Sequence, residues 1–224
     1  MMKAAKSLFT PPLINGVSAS KVFLPNDVSE LTIFEYLCVQ FPHIQAIEWQ
    51  QRFENGLIYA SDGMKLSIQD RYTPNTFIFY YRFLAHEIHV PFEHQILFED
   101  EHLLVVDKPH FLTMSPTGQY VQETLLVRLK KQTGYAELTP IHRLDRETAG
   151  VVLFCKKAES RGIYQQLFAE RKVQKTYHAI AAYRPEIKFP MTLELHMEKG
   201  HPFYTMRVNY DKTANTETFI ELLE

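Results

Sequence analysis

The sequence predicts an α+β protein in which a small helix-helix-hairpin unit precedes a domain built on a mostly antiparallel mixed sheet. Two stretches with apolar residues at helical spacing come first, followed by a run of period-two alternation. From Gln95 the pattern changes to strand, short turn, strand in QILFEDEHLLVVDKP. Strands and helices then alternate irregularly, without the strict order that a parallel sheet requires.

Each element has a local reason. Asp27-Val28-Ser29-Glu30 has the form of a capping box, and Phe34, Leu37, Cys38 and Phe41 then recur at helical spacing up to Pro42. Ala46 to Glu54 is a second helix, closed by Asn55-Gly56. Leu57-Ile58-Tyr59-Ala60, the turn Asp62-Gly63, and Met64, Leu66 and Ile68 alternating with polar residues predict a hairpin. Thr76 to Leu84 is a further strand, and Pro91 marks a boundary that divides the chain into 1–91 and 92–224. In the second part a helix is expected over Val121 to Lys131, with Leu125, Leu126 and Leu129 inward and Gly134 as its stop. Val151 to Cys155 is a buried strand and Glu159 to Ala169 a helix. Lys175 to Tyr183, Thr192 to His196, Thr205 to Asn209 and Thr216 to Leu223 complete the expected strands.

Composition narrows the class. Hydrophobic residues at 46% and charged residues at 22% are the proportions of a folded, globular chain. No run reaches the roughly 18 apolar residues of a membrane span, and the opening MMKAAKSLFTPPLI lacks the apolar core of a secretion signal, so a cytoplasmic protein is expected. Cys38 and Cys155 lie in apolar stretches and are expected as buried thiols. A net charge of −2 argues against nucleic-acid binding, but from Pro140 to His178 eight basic residues face four acidic ones, a local excess of +4. That window is either a solvated face or a candidate RNA-contacting face.

The stretch with the clearest chemistry is Ile141-His142-Arg143-Leu144-Asp145-Arg146-Glu147-Thr148-Ala149-Gly150, which runs into the apolar Val151-Val152-Leu153-Phe154. Arginines on either side of a carboxylate favour its charged form, and an ionised carboxylate can attack carbon. A loop that enters a buried strand is also held by the sheet beneath it. Read without further context, the same residues describe a surface ion pair.

These residues closely resemble the central motif of RluA-type pseudouridine synthases, HRLD followed by a Thr, a Gly and an apolar strand. Val106-Asp107-Lys108-Pro109 resembles the first motif of that family, and Lys175-Thr176-Tyr177-His178-Ala179 its downstream Tyr-bearing motif. The resemblance covers about Ile96 to Glu224. It implies a pseudouridine synthase fold for 92–224, and a cofactor-free isomerase that converts uridine to pseudouridine in ribosomal or transfer RNA. By the same resemblance Asp145 is the catalytic nucleophile, Arg143 enters the RNA as the target nucleotide turns out, and Tyr177 stacks on the flipped uracil. His142 and Lys175 join them around the substrate, while Lys108 and Pro109 shape the floor of the site. RNA is the implied partner, with a monomer, no membrane, no metal and no small-molecule cofactor expected.

Three departures accompany the resemblance. His110-Phe111 stands where relatives often carry a Gly after the Lys-Pro pair. Family members also continue past a strand like Thr216 to Leu223 into a motif whose basic residue pairs with the catalytic Asp, so a catalytic domain incomplete at its C-terminus is expected. The unit over 1–91 is similar only in outline to the small RNA-binding domain of many members, and is a candidate RNA-binding domain. Competing readings are a non-catalytic RNA-binding protein of the same fold and a glycosidase using Asp145 with Glu147. A metal at His86, His89 and His94 is disfavoured, because in an extended segment residues three apart face opposite ways.

Overall fold

Alternating inward side chains organise the strands of a computed structural model that describes residues 9–28, 30–84, 86–202 and 204–223. The chain forms two compact units divided between Gln174 and Lys175. In the first, β1 (Ser20–Leu24), α1 (Ile33–Gln40), α2 (Ala46–Glu54), β2 (Ile58–Ala60) and β3 (Thr76–Tyr80) make an antiparallel sheet in the order β1-β3-β2 with two helices. Leu24, Leu37, Trp49, Phe53, Ile58 and Ile78 fill its core.

Two local expectations need correction here. The capping box lies at Thr32 and Glu35, where the Thr hydroxyl accepts the Glu35 N–H at 3.1 Å and the Glu carboxylate accepts the Thr32 N–H at 3.0 Å. A bridge from Thr32 to Arg71 pins that start, whereas Asp27 to Glu30 precede it and Ser29 lies outside the described residues. The hairpin's return limb is reduced to a single bridge, Tyr59 to Lys65, because the Asp70 carboxylate accepts the Ser67 N–H at 2.6 Å and turns the chain away. β2 finds its registered partner in β3, whose other edge takes β1, a strand with no signal in the sequence.

The second sheet of this unit carries the site. β4 (Gln95–Glu99), β5 (Leu103–Lys108), β6 (Thr139–Pro140) and β7 (Gly150–Cys155) are antiparallel in the order β4-β5-β7-β6, with α3 (Leu125–Thr133) and α4 (Ala158–Ala169) beside them. The turn between β4 and β5 is held by Asp100, whose carboxylate accepts the N–H groups of His102 and Leu103, both at 2.7 Å. Leu104, Val106, Leu125, Leu129, Val152 and Phe154 form the core against α3. A smaller cluster of Val17, Tyr81, Val121 and Val127 joins the two sheets' surroundings, and Pro91 lies within this first unit.

Helix α3 begins at Leu125, four residues later than expected. The N–H groups of Val121, Gln122 and Glu123 are taken instead by the Glu87 carboxylate at 2.8, 3.0 and 3.0 Å. The buried Thr124 then caps the helix, and Gly134, in the left-handed region at φ 75°, ends it. Thr124→Ala is expected to cost about 1 kcal/mol of stability, read as a lower thermal midpoint.

The second unit holds β8 (Met191–Leu195), β9 (Met197–Lys199), β10 (Met206–Val208) and β11 (Thr216–Ile220), paired as β8 with β11 and β9 with β10. Lys212, Arg207 and Asn209 converge on Glu198 and hold its carboxyl down at about 2. The expected strand over Lys175 to Tyr183 does not form: the segment is exposed and has no registered partner strand among the described residues. Both cysteines are free thiols, Cys155 buried and Cys38 partly so. No described helix is long and apolar enough to cross a membrane.

Candidate active site

Asp145 lies on the loop between β6 and β7, and its position is set from below. Leu144 packs against the apolar core, so its neighbour is turned outward, with the Asp145 side chain 80% exposed. The Asp145 carbonyl accepts the Thr148 N–H at 3.1 Å, closing a turn, and Gly150 at φ 129° lets the chain leave that turn directly into β7.

Lys108 is the chief support. It ends β5 on the same inward face as Leu104 and Val106, and its side chain is fully buried. Its Nζ donates to the carbonyls of Pro109 at 3.0 Å, Leu112 at 2.9 Å and Arg146 at 3.2 Å. One amine therefore ties the loop after β5 to the residue following Asp145. Burial pushes the Lys108 pKa down, and the negative charges of Glu147 and Asp145 act against that shift. His110 adds a second tie, its Nδ1 donating to the Glu147 carbonyl at 2.6 Å.

The flanking arginines differ from the sequence-based expectation. Arg143 is 84% exposed with its guanidinium 3.9 Å from Asp145, an ion pair in water that contributes little. Arg146 turns elsewhere, donating to Glu147 at 2.9 Å and to the Tyr120 hydroxyl at 3.0 Å. The Arg146 bond holds the Glu147 carboxyl below the usual carboxylate range. That direction disfavours the glycosidase reading, which needs an acid raised above its ordinary pKa.

His142 is engaged with the scaffold. Its Nε2 accepts the Leu153 N–H at 3.2 Å, and its ring stacks on Phe168 at 4.8 Å. The basic window is largely paired as well: beyond the two arginines, Lys156 meets Glu99, Lys157 meets Glu101 and Lys172 meets Glu170. Lys175 and Tyr177 belong to the second unit, in the exposed stretch without strand structure. His142, Arg143 and Asp145 are thus brought together on one loop, with Lys108, His110 and Tyr120 as neighbours whose contacts sequence reasoning missed. For Lys108 a signal was present, since Leu104, Val106 and Lys108 share one parity. Of His86, His89 and His94, the last two have separate partners, His89 near Glu123 at 3.4 Å and His94 with Gln132 at 2.9 Å. Among the described residues no His, Cys, Asp and Glu group is arranged to hold a metal.

A family model described as RNA pseudouridylate synthase matches residues 102–224, more than half of the chain. The chain belongs to this family. The match of this pseudouridylate synthase family member extends to an RNA pseudouridine synthase of Synechocystis sp., 29% identical over 148 residues that make up 66% of this chain and 50% of that protein. tRNA pseudouridine synthase C of Vibrio parahaemolyticus is 35% identical over 127 residues, 56% of this chain and 47% of the relative. Among solved structures, human RNA pseudouridylate synthase domain containing 1 aligns over 57% of this chain and 49% of its own at 17% identity, with a TM-score of 0.39. The chain spans about half the length of these curated relatives.

Proposed function

We propose that the protein is an RNA pseudouridine synthase in which Asp145 is the nucleophile. The observation that carries this reading is an exposed carboxylate on a loop whose backbone is clamped by a buried lysine, in a chain of the pseudouridylate synthase family. Asp145 forms a bond to the uracil ring or to the anomeric carbon C1′, and in either case the glycosidic C1′–N1 bond breaks. The base rotates, C5 bonds to C1′ of the sugar, the carboxylate departs, C5 loses its proton and N1 takes one up. Every atom of uridine is kept apart from exchanged protons, so RNA mass does not change.

The substrate is a uridine in transfer or ribosomal RNA, and the relatives named for tRNA put tRNA first in the test. The protein acts as a cytoplasmic monomer without a small-molecule cofactor. His142 serves by fixing the loop to β7, and Lys175 and Tyr177 are substrate contacts, Tyr177 stacking on the flipped uracil. Carbodiimide labelling followed by mass spectrometry of incubated RNA tests the reading. Pseudouridine at unchanged mass supports it, whereas release of free uracil would make the protein a hydrolase.

Arg143 has one carboxylate at long range and is otherwise free to enter RNA. Its proposed task is to fill the space that the flipped nucleotide leaves, a step costing a few kcal/mol. Arg143→Ala is accordingly expected to slow single-turnover conversion by about tenfold or more, roughly 1.4 kcal/mol, with affinity changed much less. Equal losses in rate and affinity would reduce Arg143 to a phosphate contact.

A further inference from the structure

Phe111 stands in the left-handed backbone region at φ 65°, a conformation that glycine takes freely and that a residue with a Cβ resists. Burial does not compensate for it: the residue is 48% exposed. Its ring lies 6.0 Å from that of Phe92, itself 47% exposed, at an interplanar angle of 39°, and 6.0 Å from the imidazole of His110. The three rings form an aromatic patch open to solvent on one side.

That patch is mechanically joined to the Asp145 loop. His110 donates to the Glu147 carbonyl at 2.6 Å, and the backbone around Phe111 is gripped by Lys108, which bonds both Leu112 and Arg146. Phe92 is held from the other side, its carbonyl accepting from Arg128 at 2.8 Å. Strained backbone that displays a large apolar side chain to water beside a candidate nucleophile is a pattern found at ligand-contacting sites. Flat aromatic faces of this kind take unpaired bases, whatever their identity, by stacking.

We infer that Phe111, with His110 and Phe92 behind it, is a stacking platform for an unpaired RNA base next to the target uridine. The inference rests on the proposed RNA reading and deepens it. It makes the enzyme select a uridine whose neighbour is already out of a helix, because a paired neighbour has no free face to offer.

The test uses the full chain and an RNA stem-loop with one uridine in its unpaired loop, with every other loop nucleotide made abasic in turn. Phe111→Gly suits the observed φ and should melt no lower than the parent. It should bind the intact stem-loop about tenfold more weakly. One abasic position should weaken the parent by the same factor and erase the difference between parent and variant. Phe111→Tyr, which keeps the aromatic face, should retain parental affinity. Unchanged affinity in Phe111→Gly, or a loss that is the same on every abasic RNA, would overturn the platform. A lower melting point with unchanged affinity would overturn it too, making the rings an internal staple. Binding and product are scored separately. A position-dependent loss of affinity without pseudouridine would sink the isomerase reading and keep the platform. Parental affinity with parental turnover would do the reverse.

Discussion

Asp145→Asn is expected to abolish pseudouridine formation while leaving the fold as it is. The side chain is exposed and its nearest charged partner is 3.9 Å away, so the stability change should stay within about 0.5 kcal/mol. An amide keeps the shape and the turn but is a poor nucleophile. A fall of about a thousandfold or more corresponds to roughly 4 kcal/mol of lost transition-state stabilisation. Single-turnover assays of parent and variant on the same RNA, with matched denaturation curves, check this. Activity within about tenfold of the parent would remove Asp145 from its proposed role.

Lys108→Met should produce the second largest effect, for a different reason. The substitution keeps the length of an apolar stem but withdraws three hydrogen bonds, leaving the carbonyls of Pro109, Leu112 and Arg146 without this partner. Orphaning the buried Leu112 carbonyl costs about 1–3 kcal/mol and the part-buried Pro109 and Arg146 carbonyls less, partly offset because a buried amine no longer has to be desolvated. A net loss of about 2 kcal/mol is expected on that balance. Turnover should fall about a hundredfold, since the loop beside Asp145 loses its clamp to the sheet. The pH dependence separates the two contributions. Because burial depresses the Lys108 pKa, the unfolded chain binds more protons between that depressed value and 10.5, so the parent gains stability as pH rises through this window. The Met variant should lack that slope. Turnover equal to the parent's would mean that the clamp does not position Asp145.

How far these features could be read from the sequence depended on how local their causes are. Strands β4, β5 and β7 and helices α2 and α4 announced themselves through alternation or helical spacing, because their packing partners lie at regular intervals. The motif around Asp145 was legible as residues, but its electrostatics were not: Arg146 adjoins Asp145 in sequence and turns to Glu147 and Tyr120 in space. The start of α3 was misjudged because Glu87, more than thirty residues upstream, captures the N–H groups of Val121 to Glu123. β1 is five residues long and owes its state to pairing with β3. The left-handed backbone of Phe111 is not demanded by its own residue type; its signal is the Gly that relatives often carry where His110-Phe111 stands.

Within the β5–β7 ladder, Lys108 and Gly150 are register partners, so the Lys-Pro loop and the Asp145 loop spring from one rung. Two kinds of length follow from this. The connection from Leu112 to Leu138, with α3 inside it, can grow or shrink at its turns without moving either loop's root. From each motif to its own strand there is no such tolerance: one residue added inside β5 or β7 would swap inward for outward parity and put Lys108 or Val152 on the wrong face. The spacing between the two motifs is therefore elastic, while the phase of each against the sheet is rigid.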